Sequence, residues 1–136
     1  MAGRWLAPDV RCAVVLSSGD WIAQCDDDDE MTDDHVEKLL DHANSNDLDF
    51  VHSRTSVVRP DGEIRQLGDA SGNGITQGSV MYSMGLSWFL HSASSFRLRT
   101  PHDADLWRRM RHAGVRMGYL DEVTYRYWPA GWSQYE

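Results

Sequence analysis

A run of four consecutive aspartates, Asp26 to Asp29, constrains this chain more than any other feature of its sequence. Because adjacent carboxylates repel one another, the run needs either full solvation or a cation as a partner. The apolar segment from Trp21 to Cys25 leads into the run and predicts a short strand. A strand that delivers two alternate carboxylates to a cation at its C-terminal end is what a metal–phosphate site requires. The run alone leaves open the alternative of a solvated acidic turn before a helix.

The composition describes a single folded domain over residues 1–136, with 41% hydrophobic and 25% charged residues. The formal net charge of −8 argues against nucleic-acid binding, which would require a basic face. No apolar run reaches the length of a membrane span, and no signal-peptide pattern is present. We therefore expect a cytoplasmic protein without stable membrane insertion. Cys12 and Cys25 lie in apolar contexts and are predicted to be buried free thiols rather than a disulfide.

The hydrophobic periodicity along the chain predicts a succession of helices and strands, which is typical of the α/β or the α+β class. Asp9 is the predicted N-cap of the first helix and Thr32 that of the second. The predicted elements begin with a helix over 9–16, for which a buried strand is the alternative. They continue with a strand over 21–25, a helix over 32–43 with Val36, Leu39, Leu40 and Ala43 buried, a strand over 48–53, a hairpin over 56–67 and a loop over 68–78. The last are a segment over 79–89 that could be a strand or a helix, a short strand or helical turn over 92–97, a helix from 100 to Gly114, and two strands over 115–120 and 123–128.

Several of these segments resemble family 2 glycosyltransferases of the GT-A fold, and they occur in the order of that family. Residues 19–29 resemble the pattern A-x-G-[DE]-[YW]-I … L-D-x-D-D. The following helix and the strand at Leu48 to Val51 lie where the family has them, and Asp61-Gly62 resembles its hairpin turn. Residues 102–110 are similar to the family's E-D-x-x-L-x-x-R helix. The resemblance covers residues from about 10 to 128.

The resemblance implies an α/β fold, namely a partial GT-A-like (Rossmann-like) mixed sheet flanked by helices. Because the acidic motif comes so early in the chain, we expect the N-terminal nucleotide-binding strands of the family to be lacking. The chain would then correspond to the C-terminal half of such an enzyme, either as a shortened product or as a half-enzyme that requires a partner. Sheet edges exposed in this way would favour a homo-oligomer.

The resemblance also implies a metal site at the acidic run. Asp26 and Asp28 match the two DxD carboxylates, which would hold Mn²⁺ or Mg²⁺ against the diphosphate of a nucleotide-sugar donor. Alternation along an extended segment points these two side chains the same way. Asp27 and Asp29 would then face outward, as supporting or helix-capping groups.

The helix that begins near residue 102 supplies the other candidate site residues. Inverting transfer needs a base for the acceptor hydroxyl, and Asp103 is the candidate by resemblance. His102 stands where the family has Glu and could itself carry a proton. Arg109, or its neighbour Arg108, could bind the donor phosphates. The structural alternatives are that the aspartates favour the helix N-terminus and that the arginines form a solvated face.

Other aromatic and histidine side chains are interpreted as structural. Trp88, Phe89 and Met84 are predicted to pack in the core, with an acceptor-binding role as the alternative. His52 and His91 are expected to be structural or surface groups.

The resemblance thus implies a glycosyltransferase-like domain that transfers a sugar, in a metal-dependent reaction with inversion, from a nucleotide-sugar donor to an acceptor hydroxyl. Such a domain would be inactive alone if it is truncated. Two other hypotheses remain at this point. The chain could be a non-catalytic, GT-A-derived binding or oligomerisation module. It could also be a small metal-dependent phosphotransfer or hydrolase domain that uses the same carboxylates.

Overall fold

The computed structural model describes residues 6–89 and 102–129. The described elements are helices α1 (Leu6–Leu16), α2 (His35–Ser45) and α3 (His102–His112), and strands β1 (Trp21–Ala23), β2 (Glu30–Met31), β3 (Phe50–Val58), β4 (Ile64–Leu67), β5 (Val80–Ser83) and β6 (Met117–Tyr127), with short 3₁₀ turns at Gln77–Ser79 and Met84–Leu86.

The six strands form one mixed sheet in the order β1-β5-β3-β6-β2, and β4 pairs with the far end of β3. The pairing of β3 with β6 is parallel, and the other pairings are antiparallel. Helices flank this sheet, so the predicted α/β class is confirmed and the architecture is compatible with a partial GT-A-like fold. Within the described residues, the edge strands β1 and β2 have three and two residues. Such short edge strands offer little backbone for pairing with a second copy of the chain. The homo-oligomer expected from exposed sheet edges stays a prediction.

Successive residues of the strands point to opposite faces of the sheet, which creates two hydrophobic clusters. Phe50 of β3 packs with Val14 of α1 and Leu106 of α3 in the larger cluster. Its neighbour Val51 packs with Leu39 of α2 on the other face. Helices α1 and α3 therefore cover one face of the sheet, and α2 covers the other.

The two helices on either side of the acidic run, α1 and α2, begin at other residues than predicted. Helix α1 begins at Leu6, so the N-cap predicted at Asp9 is wrong. Pro8 fits inside the first turn because amides there have no intrahelical partner. Helix α2 begins at His35 with Asp34 as N-cap. Thr32 is not the cap, because it lies two residues before Asp34 and its hydroxyl donates to Asp34 Oδ1 at 2.8 Å. Its amide donates to the Thr124 carbonyl at 2.9 Å and so continues the pairing with β6.

The buried face of α2 also differs in part from the predicted one. Leu39 and Ala43 are buried, as expected, and Leu40 is partly buried. Val36 is 48% exposed, and His35 takes its place in the interior.

The C-terminal part of the described chain forms one strand, although two were predicted. The register of β6 against β3 shifts between His52 and Arg54 and again before Thr55. This irregularity accommodates the polar pair Asp121-Glu122, which interrupts the hydrophobic pattern without ending the strand. The open segment after residue 79 is strand β5 followed by a 3₁₀ turn. The element predicted over 92–97 lies outside the described residues.

The predicted hairpin and the helix stop are confirmed. Strands β3 and β4 pair around the turn at residues 59–62. Gly114, two residues after the end of α3, has a φ of +79°. The prediction for the cysteines is correct only in part, because both thiols are free but exposed.

A close contact between Gly78 and Tyr125 generates a stability prediction. A Cβ at Gly78 would overlap Cζ of Tyr125, whose side chain is buried. Gly78→Ala must displace this ring, and we expect it to lower the free energy of unfolding by about 1–3 kcal/mol in urea titrations. Gly19→Ala is the matched control, because the nearest atom to its Cβ is 3.6 Å away. A change within about 0.5 kcal/mol is expected there, and equal losses in the two variants would contradict the prediction.

Candidate functional site

The acidic run forms a tight turn that gathers three carboxylates. The Asp29 amide donates to the Asp26 carbonyl at 3.2 Å, which closes the turn. One carboxylate oxygen from each of Asp26, Asp28 and Asp29 lies within 4.8 Å of the others. Asp26 and Asp28 are exposed, whereas Asp29 is half-buried. These are the three acidic positions of the D-x-D-D pattern.

Pairing of β2 with β6 places this turn against the end of β6. Glu30 lies opposite Arg126 in the ladder, so the residue before it lies next to the last residues of β6. There, Asp29 Oδ2 accepts a hydrogen bond from the Tyr125 hydroxyl at 2.8 Å. Asp29 Oδ1 accepts one from the Trp128 amide at 3.2 Å. The acidic turn is therefore attached to a strand almost a hundred residues further along the chain.

The position of Asp29 corrects an expectation from the sequence. Alternation along a strand would have turned Asp29 away from Asp26 and Asp28, but β1 ends at Ala23 and residues 26–29 turn back on themselves. The chain reversal brings Asp29 into the carboxylate group, and Asp29 does not cap α2. Asp27, in contrast, is exposed and lies outside the group, as expected.

The electrostatics of the turn follow from its burial and its charge. Burial raises the pKa of Asp29 to about 6, and the neighbouring Asp28 and Asp26 add to the rise, while the hydrogen bonds from Tyr125 and Trp128 oppose it. Burial and the hydrogen bond to Asp29 raise the pKa of Tyr125 far above its usual range. The Tyr125 hydroxyl consequently stays protonated and donates a hydrogen bond to Asp29.

The donor set of the turn fits a hard divalent cation. Three carboxylates offer oxygen ligands, which Mg²⁺ and Mn²⁺ prefer over nitrogen or sulfur. Their mutual repulsion would be relieved by a cation among them. Among the described residues, Asp26, Asp28 and Asp29 are the group with this geometry.

Helix α3 holds the other predicted site residues. Asp103 lies in its first turn, partly exposed, with Oδ1 accepting from the Ala104 amide at 2.8 Å. Asp105 is fully buried and accepts from Arg108 at 2.9 Å and from Arg109 Nε at 3.0 Å. Burial opposes ionisation of Asp105, yet the two arginine hydrogen bonds outweigh it and lower the pKa. Neither Asp103 nor Asp105 belongs to the carboxylate group of the turn.

A buried polar chain supports the end of β6 next to the turn. His35 Nδ1 lies 2.7 Å from Thr124 Oγ1, which lies 2.6 Å from Ser53 Oγ. All three side chains are buried, and burial lowers the pKa of His35. The chain ties the start of α2 to β6 and β3. Neither these three side chains nor Tyr125 were among the predicted site residues, because each contact joins positions far apart in sequence.

The aromatic side chains after β5 divide between core and surface. Phe89 is buried and Met84 packs against the same cluster, which confirms the prediction for both. Trp88 is 69% exposed and stacks on Phe89 with ring centroids 3.8 Å apart, so its predicted place in the core is wrong. His52 is buried beside Tyr119, and His91 lies outside the described residues.

A comparison with protein families assigns the chain. The model for "Glycosyl transferase family 2" matches residues 3–116, which is most of the sequence. This chain therefore belongs to glycosyl transferase family 2. Since the match starts near the N-terminus, it does not confirm that the chain corresponds to the C-terminal half of the family domain. No curated protein matches the chain significantly. In the described parts of the chain, none of the helices is long and apolar enough to cross a membrane.

The buried His52 generates a prediction for the pH dependence of stability. Its pKa is lowered to about 4, mainly by burial. In an unfolded chain the pKa of a histidine is about 6.5. The unfolded state therefore binds the proton more readily, and stability present above pH 6.5 is lost as the pH falls towards 4. As the pH falls from 7.5 to 5, we expect His52 to lower the free energy of unfolding by about 2 kcal/mol.

Urea titrations at both pH values, on the wild type and on His52→Gln, measure this contribution. The variant has no titrating group at position 52. Between pH 7.5 and pH 5 its free energy of unfolding should therefore fall by about 2 kcal/mol less than that of the wild type. Parallel pH dependences for the two proteins would contradict the prediction.

Proposed function

We propose that this domain binds the diphosphate of a nucleotide-sugar donor at the acidic turn, through a divalent cation, and transfers the sugar with inversion to an acceptor hydroxyl. The observation that carries this proposal is the convergence of the Asp26, Asp28 and Asp29 oxygens within 4.8 Å in a member of glycosyl transferase family 2. The coincidence of this group with the D-x-D-D positions favours a donor site over a solvated turn.

Asp26 and Asp28 are the proposed principal ligands of Mn²⁺ or Mg²⁺, because both are exposed at the turn, and the half-buried Asp29 is the third carboxylate that faces the cation. Such a cation, when bound, supplies positive charge that stabilises the departing diphosphate. Asp26 thereby also takes part in donor binding. Arg109 is the proposed second contact to the donor phosphates. Asp105 orients this guanidinium by accepting a hydrogen bond from its Nε at 3.0 Å, and a guanidinium is suited to bidentate contact with phosphate.

Asp103 is the proposed base that takes the proton of the acceptor hydroxyl as this oxygen attacks the anomeric carbon. The environment of α3 supports the choice between its two aspartates. Asp105 is fully buried and holds two arginines, so its carboxylate is committed to the helix. Asp103 is partly exposed in the first turn, where a substrate hydroxyl can reach a carboxylate.

Cation-dependent donor binding is the first test of this function. In thermal unfolding with Mn²⁺ and a nucleoside diphosphate (UDP and GDP in turn), we expect a higher Tm, since ligand at about 100 times its Kd adds about 2.7 kcal/mol of stability. Asp28→Asn should abolish the rise because it removes a charged ligand. Asp27→Asn removes the same charge from the same turn but outside the group, and it should keep the rise.

An unchanged Tm of the wild type with every nucleoside diphosphate and Mn²⁺ would overturn the proposed function. Equal losses in Asp28→Asn and Asp27→Asn would show that the total charge of the turn, rather than a defined site, determines binding.

The role of Asp103 is tested separately from binding. Asp103→Asn keeps an acceptor for the Ala104 amide but removes the base. We expect the steady-state release of nucleoside diphosphate from the donor sugar nucleotide to fall by about 10²–10⁴-fold. The Tm rise with Mn²⁺ and nucleoside diphosphate should remain. Unchanged turnover in this variant would exclude Asp103 as the base.

A further inference from the structure

A single hydroxyl group contacts both ends of the acidic turn. The Tyr125 hydroxyl donates to Asp29 Oδ2 at 2.8 Å. The same oxygen accepts from the Asp26 amide at 3.4 Å. A hydroxyl can donate one hydrogen bond and accept others, so both contacts are compatible. Tyr125 thus links the first and the last residue of the run through one atom.

The ring that carries this hydroxyl has little room to move. Tyr125 is 1% exposed, and Gly78 packs so closely against the ring that a Cβ there would overlap it. Its neighbour Thr124 is held by the buried contacts with His35 and Ser53. A side chain fixed in this way presents its hydroxyl at a defined place, which is the requirement for orienting a ligand residue.

Asp29 needs such an orienting contact. Its carboxylate is half-buried and lies close to those of Asp26 and Asp28, so repulsion favours rotation of the side chain away from them. The hydrogen bonds from Tyr125 and from the Trp128 amide oppose this rotation. Each carboxylate oxygen has a second lone pair, so both bonds leave Asp29 able to face a cation.

We propose that Tyr125 is a positioning residue of the cation site: together with the Trp128 amide, its hydroxyl holds Asp29 beside Asp26 and Asp28 and so sets the affinity of the turn for a divalent cation. This inference rests on the proposed function, because it assumes that the turn binds the cation. It assigns Tyr125 no contact with the cation or with the donor.

Binding of Mn²⁺ alone, measured from the electron paramagnetic resonance signal of the free ion, tests the proposal without an activity assay. Tyr125→Phe removes one oxygen and keeps the ring. We expect the Kd for Mn²⁺ to rise about 10-fold or more, as is typical when a partner of a metal ligand is lost. Tyr82→Phe is the matched control, since the Tyr82 hydroxyl is also buried but has no hydrogen-bond partner among the described residues. Its Kd should equal that of the wild type.

A double-mutant cycle with Asp29→Ala separates positioning from a general effect on folding. If Tyr125 acts through Asp29, Tyr125→Phe should weaken Mn²⁺ binding no further once Asp29 is alanine. Thermal unfolding of the metal-free proteins verifies that each variant is folded. If Tyr125→Phe does not fold, Asp29→Ala alone decides, because an unchanged Kd there overturns the proposal and a raised Kd supports it.

The possible failures are distinguishable. Absence of Mn²⁺ binding by the wild type overturns both the proposed function and the role of Tyr125. If the wild type binds Mn²⁺ and Tyr125→Phe changes the Kd by less than about twofold, only the role of Tyr125 is overturned, because the loss of a ligand partner usually has a larger effect. Equal weakening by Tyr82→Phe, or additive losses in the cycle, also overturns the positioning role and leaves the cation site intact.

Discussion

The parallel pairing of β6 with β3, extended by the short pairing of β6 with β2, determines where the candidate site lies. Strand β3 is central, with β5 and β4 on one side and β6 on the other. Because the last residues of β6 pair with β3 along one edge and with β2 along the other, residues 124–128 lie against residues 26–32. Two residues of β2 are enough for this because the Thr32 amide and the Asp29 carboxylate continue the contact on either side. The acidic turn, which directly precedes the edge strand β2, is therefore attached to the sheet by hydrogen bonds to the end of β6.

The polar groups beneath this edge explain why the attachment is specific. His35, Thr124 and Ser53 are buried, and burying polar groups without partners is costly. Their mutual hydrogen bonds at 2.7 and 2.6 Å offset the cost only when α2, β6 and β3 keep their relative positions. A slip of β6 by one residue would turn Thr124 to the other face and break the chain of contacts. The same register places Tyr125 opposite Thr55 and beneath the turn.

Local patterns in the sequence were sufficient for the elements but not for the contacts between them. The periodicity of α2, the turn at residues 59–62 and the stop at Gly114 depend on nearby residues, and each was predicted. The acidic run could be recognised as a candidate site for the same reason. Asp29 was predicted to face away from Asp26 and Asp28, because the alternation of a strand was extended into residues 26–29, which form a turn. Tyr125 could not be found, since its role depends on a strand register and on the space left by Gly78. The two predicted C-terminal strands are one because a bulge accommodates Asp121 and Glu122.

A comparison of the two buried or half-buried carboxylates separates a structural group from a candidate ligand. Asp105 is fully buried, but two guanidinium groups neutralise it and its pKa is lowered. Asp29 receives its hydrogen bonds from a hydroxyl and a backbone amide, which carry no net charge, and its pKa is raised to about 6. Neutral donors can orient a carboxylate without cancelling its charge. At Asp105 the fold supplies the positive partner itself, whereas at the acidic turn it orients Asp29 next to Asp26 and Asp28 through neutral donors.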